Sequence, residues 1–346
     1  MTAGSFAFYK LPDSDEYVSV RSSKVRQLSD DPALMPVEPG FMAYPFHSSD
    51  TCHPFLIPAD DTIVRKIPDD IQCEGYGKTD GTIMTDQDYP LYSKEFSLFH
   101  NAVCSGSFRK LVLARNRAVH PETAVDCTAL FLRACRKYPH AMVMMFRGIQ
   151  TGVWLCATPE PLLRCSGGMF RTVALAGTMA YDGKSVPSVE DWSAKNREEQ
   201  QVVCNFIVDA TAPYASDLQI DGPYTVRAGN LLHLRTDISF RASGDNFGRI
   251  AAALHPTPAV CGFPQESAKT FIRENERQSR GYYSGFAGPV AMGGRTDLFV
   301  NLRSACISDD GMTASLYAGG GIMKDSSCRS EYEETIHKMQ TIAGIF

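Results

Sequence analysis

Several stretches of this chain put chemically active side chains where ordinary packing does not call for them. In "KNREEQQVVCNF" (195–206), Val202, Val203 and Phe206 fall three, four and seven residues after Glu199, and Ala210 comes one more turn on. That is the spacing of one helix face. Glu199 therefore stands in line with the apolar stripe predicted to face the core, and a carboxylate there is costly unless something cationic meets it. In "SEYEETIHK" (330–338), Glu331, Glu334 and Lys338 share one stripe, three and four residues apart. One reading is a solvated face with a Glu–Lys pair worth about 0.2–0.5 kcal/mol. Taken with Glu199, the other is that two helices offer carboxylates to one hard cation. Magnesium takes oxygen ligands and keeps several waters.

Three more residues invite the same question. Lys110 heads the apolar stretch "FRKLVLAR". At a strand start a lysine ordinarily snorkels to solvent; buried near other cations it can serve as a base. Glu160 sits in "ATPEPLL", a proline-framed turn after a strand. Arg303, in "VNLRSA", is an arginine among apolar neighbours, a common carboxylate holder. The glycine-rich "YAGGGIMK" (317–324) lacks the spacing of a P-loop. Glycines after a strand still let backbone N–H groups approach an anion.

The elements that must position these groups follow from periodicity. Helices are predicted over 90–106, 121–138 (with Pro121 in the first turn), about 192–211, 265–278 and the closing "RSEYEETIHKMQTIAGI". "FRKLVLARNRAV", "AMVMMF", "TGVWLC" and "LLRCSGGMFRTVAL" read as strands, the last a hairpin turning on Gly-Gly. "GPYTVRAGNLLHLRTDISFRA", "GYYSGFAGPVAM", "DLFVNLRSACI" and "MTASLYAGGGIM" read as strands too, and residues 1–88 as a β-rich, loop-heavy opening. Strands outnumber helices and arrive in consecutive groups. The expected class is α+β, a large mainly antiparallel sheet system flanked by helices.

Composition sets the limits. Hydrophobic residues at 44% and charged residues at 21% describe an ordinary globular protein. A net charge of -5 gives no reason to expect nucleic acid or an anionic membrane, so an anionic ligand needs a local cationic pocket. The eleven cysteines form no C-x-x-C pair and read as buried thiols in a reducing compartment. No secretory signal or membrane-spanning run is visible, and a cytoplasmic location is expected. No zinc spacing, nucleophile elbow or nicotinamide fingerprint occurs.

In order and spacing, "FRKLVLAR", "ATPEPLL", "VALAGTM", "KNREEQQVV", "LLHLRT", "LHPTPAVCGFPQ", the run from Glu276 to "RGYYSG", "VNLRSA", "YAGGGI" and "SEYEETIHK" resemble the chorismate-utilising enzymes, most closely the isochorismate synthases. The resemblance covers about 90–346. It implies a single domain over 1–346, with 1–88 a variable part and 90–346 the chorismate-binding catalytic part. It also implies a two-sheet antiparallel core with a cleft between the sheets, Mg²⁺ as cofactor and chorismate as substrate. Residue by residue, it makes Lys110 the general base and Glu160 the general acid. Glu199 and Glu334 become metal ligands, with Glu331 reaching the metal through water. Gly177, Thr178, His233, Ala259, Tyr283, Arg303, Gly319 and Lys338 become substrate-binding positions.

Within that family the nucleophile decides. Lys110 stands where anthranilate synthases carry glutamine, and Ala176 where aminodeoxychorismate synthases carry a lysine nucleophile; both point to water and hence to isochorismate. Salicylate synthases share Lys110 and Glu160 and typically pair a Tyr and a Leu at Tyr283 and Leu302, so subsequent pyruvate elimination is the alternative. A catalytically silent chorismate-binding protein is the non-enzymatic one. A monomer is expected, with no nucleic-acid or membrane partner. Menaquinone assembly is the expected destination of the product, since no fused carrier or lyase domain is seen, with a siderophore pathway as the alternative.

Overall fold

A computed structural model describes residues 4–71, 86–149, 151–181, 183, 185–228 and 231–346. The chain opens with β1 (Phe6–Lys10), β2 (Glu16–Arg21), β3 (Arg26–Gln27), β4 (Gly40–Tyr44), β5 (Phe55–Pro58) and β6 (Asp61–Lys66). Then come α1 (Tyr89–Cys104), β7 (Lys110–Val119), α2 (Cys127–Lys137), β8 (Met142–Arg147), β9 (Val153–Thr158), β10 (Pro161–Ser166) and β11 (Met169–Ala180). α3 (Ala194–Thr211) leads to β12 (Ser216–Ala228), β13 (Leu231–Arg241), α4 (Phe247–Leu254), β14 (Gly262–Phe263) and α5 (Gln265–Asn275). The chain closes with β15 (Phe286–Val290), β16 (Arg295–Val300), β17 (Ser304–Ile307), β18 (Ala314–Ile322) and α6 (Cys328–Ala343).

The strands form two nine-stranded antiparallel sheets among the described residues. One runs β14-β7-β18-β17-β9-β8-β1-β2-β6, the other β12-β13-β11-β10-β16-β15-β4-β5-β3. Helices α1, α2, α5 and α6 lie against the first sheet, and α3 and α4 against the second. Alternation along β7 shows how sequence period sorts the two faces. Leu111 and Leu113 join the helix-side cluster, whereas Ala114 joins the core shared with the second sheet. This is the expected α+β architecture, and the opening segment contributes strands to both sheets rather than standing apart. No described helix is long and apolar enough to cross a membrane.

Four details differ from the sequence expectation. Helix α2 starts at Cys127, because Asp126 caps it by accepting from the backbone N–H groups of Thr128 and Ala129; Pro121 lies outside it. "GPYTVRAGNLLHLRTDISFRA" belongs to two strands, β12 and β13, with Gly229 and Asn230 between them outside the described residues. "NFGRIAAAL" holds α4, too short for its period to stand out in the sequence. "DLFVNLRSACI" is β16 plus β17, broken at residues 301–303, where Arg303 has φ 49° and the chain leaves one sheet for the other. The Gly-Gly hairpin is as expected, with Gly167 at φ 57° and Gly168 at φ 74°.

Candidate active site

Two neighbouring strand pairs pass from sheet to sheet, and each crossing carries a candidate residue. β9 of the first sheet continues into β10 of the second through Pro159 and Glu160 alone. β16 of the second continues into β17 of the first through Asn301, Leu302 and Arg303. The crossings brace each other, since Val300 N–H donates to Glu160 O (2.9 Å) and Ala157 N–H donates to Arg303 O (3.2 Å). Glu160 is therefore part of an inter-sheet passage, not of a surface turn, and it is 3% exposed. Burial raises its carboxyl to about 7, against the opposing pull of Lys110, Arg303 and Lys338.

The cavity at these crossings is lined by Glu160, Thr178, His233, Ala259, Tyr283, Arg303, Gly319 and Lys338, with Leu302 and Val112 among the apolar neighbours. A bulge aims two of them. The β11–β13 register slips between Ala176↔Leu234 and Thr178↔His233, leaving Gly177 as the extra residue at φ 73°. A Cβ at Gly177 would lie 3.2 Å from Asn196 O, so position and backbone both ask for glycine. The His233 ring lies between two groups that fix its tautomer. Its Nδ1–H donates to Gly177 O (3.0 Å), and its Nε2 accepts from Arg303 Nη2 (3.0 Å). Burial, together with Arg303 and Lys338, lowers its pKa to about 3, so the ring stays neutral. Arg303 is buried, and among the described residues it has no carboxylate partner. Tyr283 stacks on Tyr317, and burial pushes its phenol up to about 12.

The acidic candidates meet beside this cavity, each against a lysine. Lys110 is fully buried, and its Nζ lies 2.8 Å from Glu199 Oε1, an ion-pair contact without good hydrogen-bond alignment. Lys338 Nζ donates to Glu334 Oε1 (2.6 Å) and to Gly319 O (2.8 Å). Lys195 Nζ and Ser326 Oγ both donate to Glu331 Oε1. Burial and the neighbouring Glu334 raise Glu331. Burial also pushes Glu334 upward, but Lys338, Lys195 and the Thr178 hydroxyl outweigh it and hold that carboxyl low. Glu199 thus faces Lys110, and the buried stripe of α3 continues through Val203, Ile207 and Thr211. Phe206 and Ala210, expected on that stripe, lie half-buried at its flank, since the helix is rotated toward β11 and β13. Glu198 is exposed and pairs with Arg109 at 3.4 Å.

The glycine run makes room for the acids. A Cβ at Gly321 would lie 2.2 Å from Glu199 Oε1 and 2.9 Å from Lys110 Cε; at Gly320 it would lie 3.0 Å from Glu331 Oε2. Glu331 Oε2 is itself buried with no hydrogen-bond partner among the described residues. Among the described residues no three acidic, imidazole or thiol groups converge as a ready-made metal cage. The donor chemistry nevertheless fits a hard divalent cation: three carboxylates, one with an unpaired buried oxygen, around a face kept free of side chains. Lys195 and Ser326 are the participants that sequence reasoning did not single out, whereas Gly320 and Gly321 belong to the glycine run that it did. Lys195 had a signal, standing one turn before Glu199 on the same helix.

The family profile described as "Chorismate binding enzyme" matches residues 77–346. The salicylate biosynthesis isochorismate synthase of Pseudomonas aeruginosa is 35% identical over 257 residues, 70% of this chain and 52% of that one. Isochorismate synthase EntC of Escherichia coli K12 is 30% identical over 244 residues, 68% of this chain and 62% of that one. The chain thus matches about half to three-fifths of the length of these relatives. Among solved structures, DhbC from Bacillus anthracis aligns with a TM-score of 0.82 at 22% identity, over 100% of this chain and 97% of that one. Menaquinone-specific isochorismate synthase MenF from Escherichia coli aligns with a TM-score of 0.79 at 21% identity, over 99% and 88%. Two nine-stranded sheets joined at the site, and a family match over most of its length, lead to one statement: this chain belongs to the chorismate binding enzyme family.

Proposed function

We propose that this protein is an isochorismate synthase, which adds water at C2 of the chorismate ring while the C4 hydroxyl leaves. The observation that carries the reading is a fully buried lysine, Lys110, within electrostatic reach of a buried carboxyl raised to about 7, Glu160, which lines the cavity. A carboxyl held protonated near neutrality by burial, with a buried lysine near it, offers the acid and the base that this chemistry needs. Lys110, as general base, takes the proton of the attacking water as its oxygen bonds to C2. The ring double bonds shift, the C4–O bond breaks, and Glu160 protonates the departing hydroxyl so that it leaves as water. Arg303, short of a carboxylate, binds one of the substrate's two carboxylates, with Tyr283 and Gly319 beside it. His233, neutral and fixed in tautomer, holds the Arg303 guanidinium in place. Thr178 and Lys338 orient Glu334. Mg²⁺, held by Glu199, Glu334 and Glu331, would supply charge neutralisation for the ring carboxylate.

A second reading has an observation of its own. Tyr283 and Leu302, the pair shared with salicylate synthases, both line the cavity. Chromatography of the products from chorismate and Mg²⁺ decides. Isochorismate alone, abolished by EDTA, supports the proposal; salicylate with pyruvate favours the second reading; an intact fold with no turnover leaves a binding protein. We place the product upstream of menaquinone. A deletion strain that keeps its menaquinone and loses a catechol or salicylate instead overturns that placement.

A further inference from the structure

A second cavity adjoins the catalytic one and shares Pro159 and Arg303 with it. The catalytic cavity holds about 50 Å³. The outer cavity holds about 400 Å³, within the range of ~300–1,000 Å³ that small-molecule sites occupy. Its wall is one-sided in charge. Lys137, His140, Arg227 and Arg303 line it, and no acidic side chain among the described residues does, although the chain as a whole carries -5.

These basic side chains are held in place. Lys137 Nζ donates to Gly344 O (2.7 Å), the Arg227 guanidinium sits 4.2 Å over the Tyr181 ring, and His140 Nδ1 lies 2.5 Å from Asp13 Oδ1. Two features mark the inner wall. Arg303 is 7% exposed, and its guanidinium bonds only to the neutral His233 among the described residues. Thr341 is 8% exposed, and its hydroxyl has no hydrogen-bond partner among the described residues. A buried guanidinium hydrogen-bonded to no carboxylate is costly until an anion arrives. A cationic recess with low-dielectric walls concentrates anions and raises their rate of capture.

We propose that the outer cavity is an anion vestibule, a docking site for a small dicarboxylate between solvent and the catalytic cavity, with Arg303 as the shared threshold. The ligand first sits against Lys137 and Arg227. One carboxylate then engages Arg303 and follows its guanidinium inward past Pro159. The dicarboxylate is chorismate only if the proposed function holds, and the test separates the two claims.

The first arm measures kcat/KM for chorismate against ionic strength in the wild type, Arg227→Glu and Arg249→Glu. Arg249 is exposed and lines neither cavity, so it controls for the same change in net charge. Arg227→Glu should lower kcat/KM at least tenfold at low salt and flatten the salt dependence, while Arg249→Glu stays within twofold. The second arm needs no turnover: isophthalate, an unreactive dicarboxylate, is titrated calorimetrically into the same proteins. Arg227→Glu should weaken its binding at least tenfold. Ala228→Trp, which fills the vestibule without altering charge, should do the same, with circular dichroism checking the fold. If the wild type does not turn over chorismate but isophthalate binding responds, the function falls and the vestibule stands. If turnover is normal and neither arm distinguishes Arg227→Glu from Arg249→Glu, the vestibule falls.

Discussion

Glu160→Gln keeps the shape of a side chain and removes its proton chemistry, so it tests the acid directly. Burial raises the Glu160 carboxyl from 4.5 to about 7. At ~1.36 kcal/mol per pKa unit, that difference is on the order of 3 kcal/mol. The sign follows from proton binding: the folded protein holds this proton more tightly than the unfolded chain. Glu160 therefore contributes stability fully present below about pH 4.5 and lost as pH rises through about 7. His233 and His255, both lowered to about 3 chiefly by burial, act the other way, with stability present above about 6.5 and lost as pH falls toward 3. Both histidines are common to the wild type and the variant and cancel in the difference. Relative to the wild type, Glu160→Gln should thus gain on the order of 3 kcal/mol between pH 4.5 and pH 8. With an unfolding entropy of roughly 2.1 cal/mol/K per residue, 3 kcal/mol is about 4 °C in Tm for a chain of this length. Scanning calorimetry of both proteins at pH 4.5 and pH 8 reads it. The same substitution should lower kcat by ~10²–10⁴, and wild-type kcat/KM should fall about tenfold per pH unit above about 7. A Tm difference that does not change with pH would mean the carboxyl ionises without penalty. A glutamine variant with wild-type turnover would remove Glu160 from the acid role.

Gly321→Ala should drive its new methyl between Glu199 and Lys110 and cut kcat at least ~10²-fold, with an unchanged circular dichroism spectrum; wild-type activity would mean that contact is slack. Glu199→Ala should lose Mg²⁺ binding by calorimetry while Glu198→Ala keeps it, because Glu198 is exposed and pairs outward with Arg109; equal effects would dissolve the distinction. Arg280 and Glu276, 1% and 4% exposed, form a buried pair whose arginine also donates to Val260 O and Val112 O, two residues of the cavity wall. Arg280→Leu should cost about 3–5 kcal/mol by urea denaturation, the penalty of leaving a buried charge alone. A loss below ~1 kcal/mol would mean Glu276 simply takes up a proton.

Spacing alone made Glu199 conspicuous, and it is buried as expected. That Lys110, Glu160, Arg303 and Lys338 converge could be expected only from the family resemblance, since they are separated by tens to hundreds of residues and no local pattern links them. Periodicity also fails where a strand changes sheets. "DLFVNLRSACI" alternates like one strand, and nothing in it marks the left-handed step at Arg303. The prolines around Glu160 were visible, but a turn and an inter-sheet passage read alike in one dimension. The Gly177 bulge has the same difficulty, because the extra residue exists only relative to the partner strand. Lys195 lay in plain view one turn before Glu199, yet its partner Glu331 belongs to a helix 136 residues further on.

The two sheet-to-sheet passages also act mechanically. Val300 and Ser304 belong to different sheets and are joined through only residues 301–303. At ~3.3–3.6 Å per residue that span reaches little beyond the ~10 Å at which stacked sheets sit. The Pro159–Glu160 passage is shorter still. The chain thus rivets the two sheets together beside Glu160 and Arg303, and neither rivet can lengthen. Any gaping of the cleft must pivot there, with its amplitude growing toward α3 and the glycine run and vanishing at the acid and the guanidinium. Lengthening either rivet by one residue should leave both sheets folded and every side chain of the site present, yet free the two halves to slide.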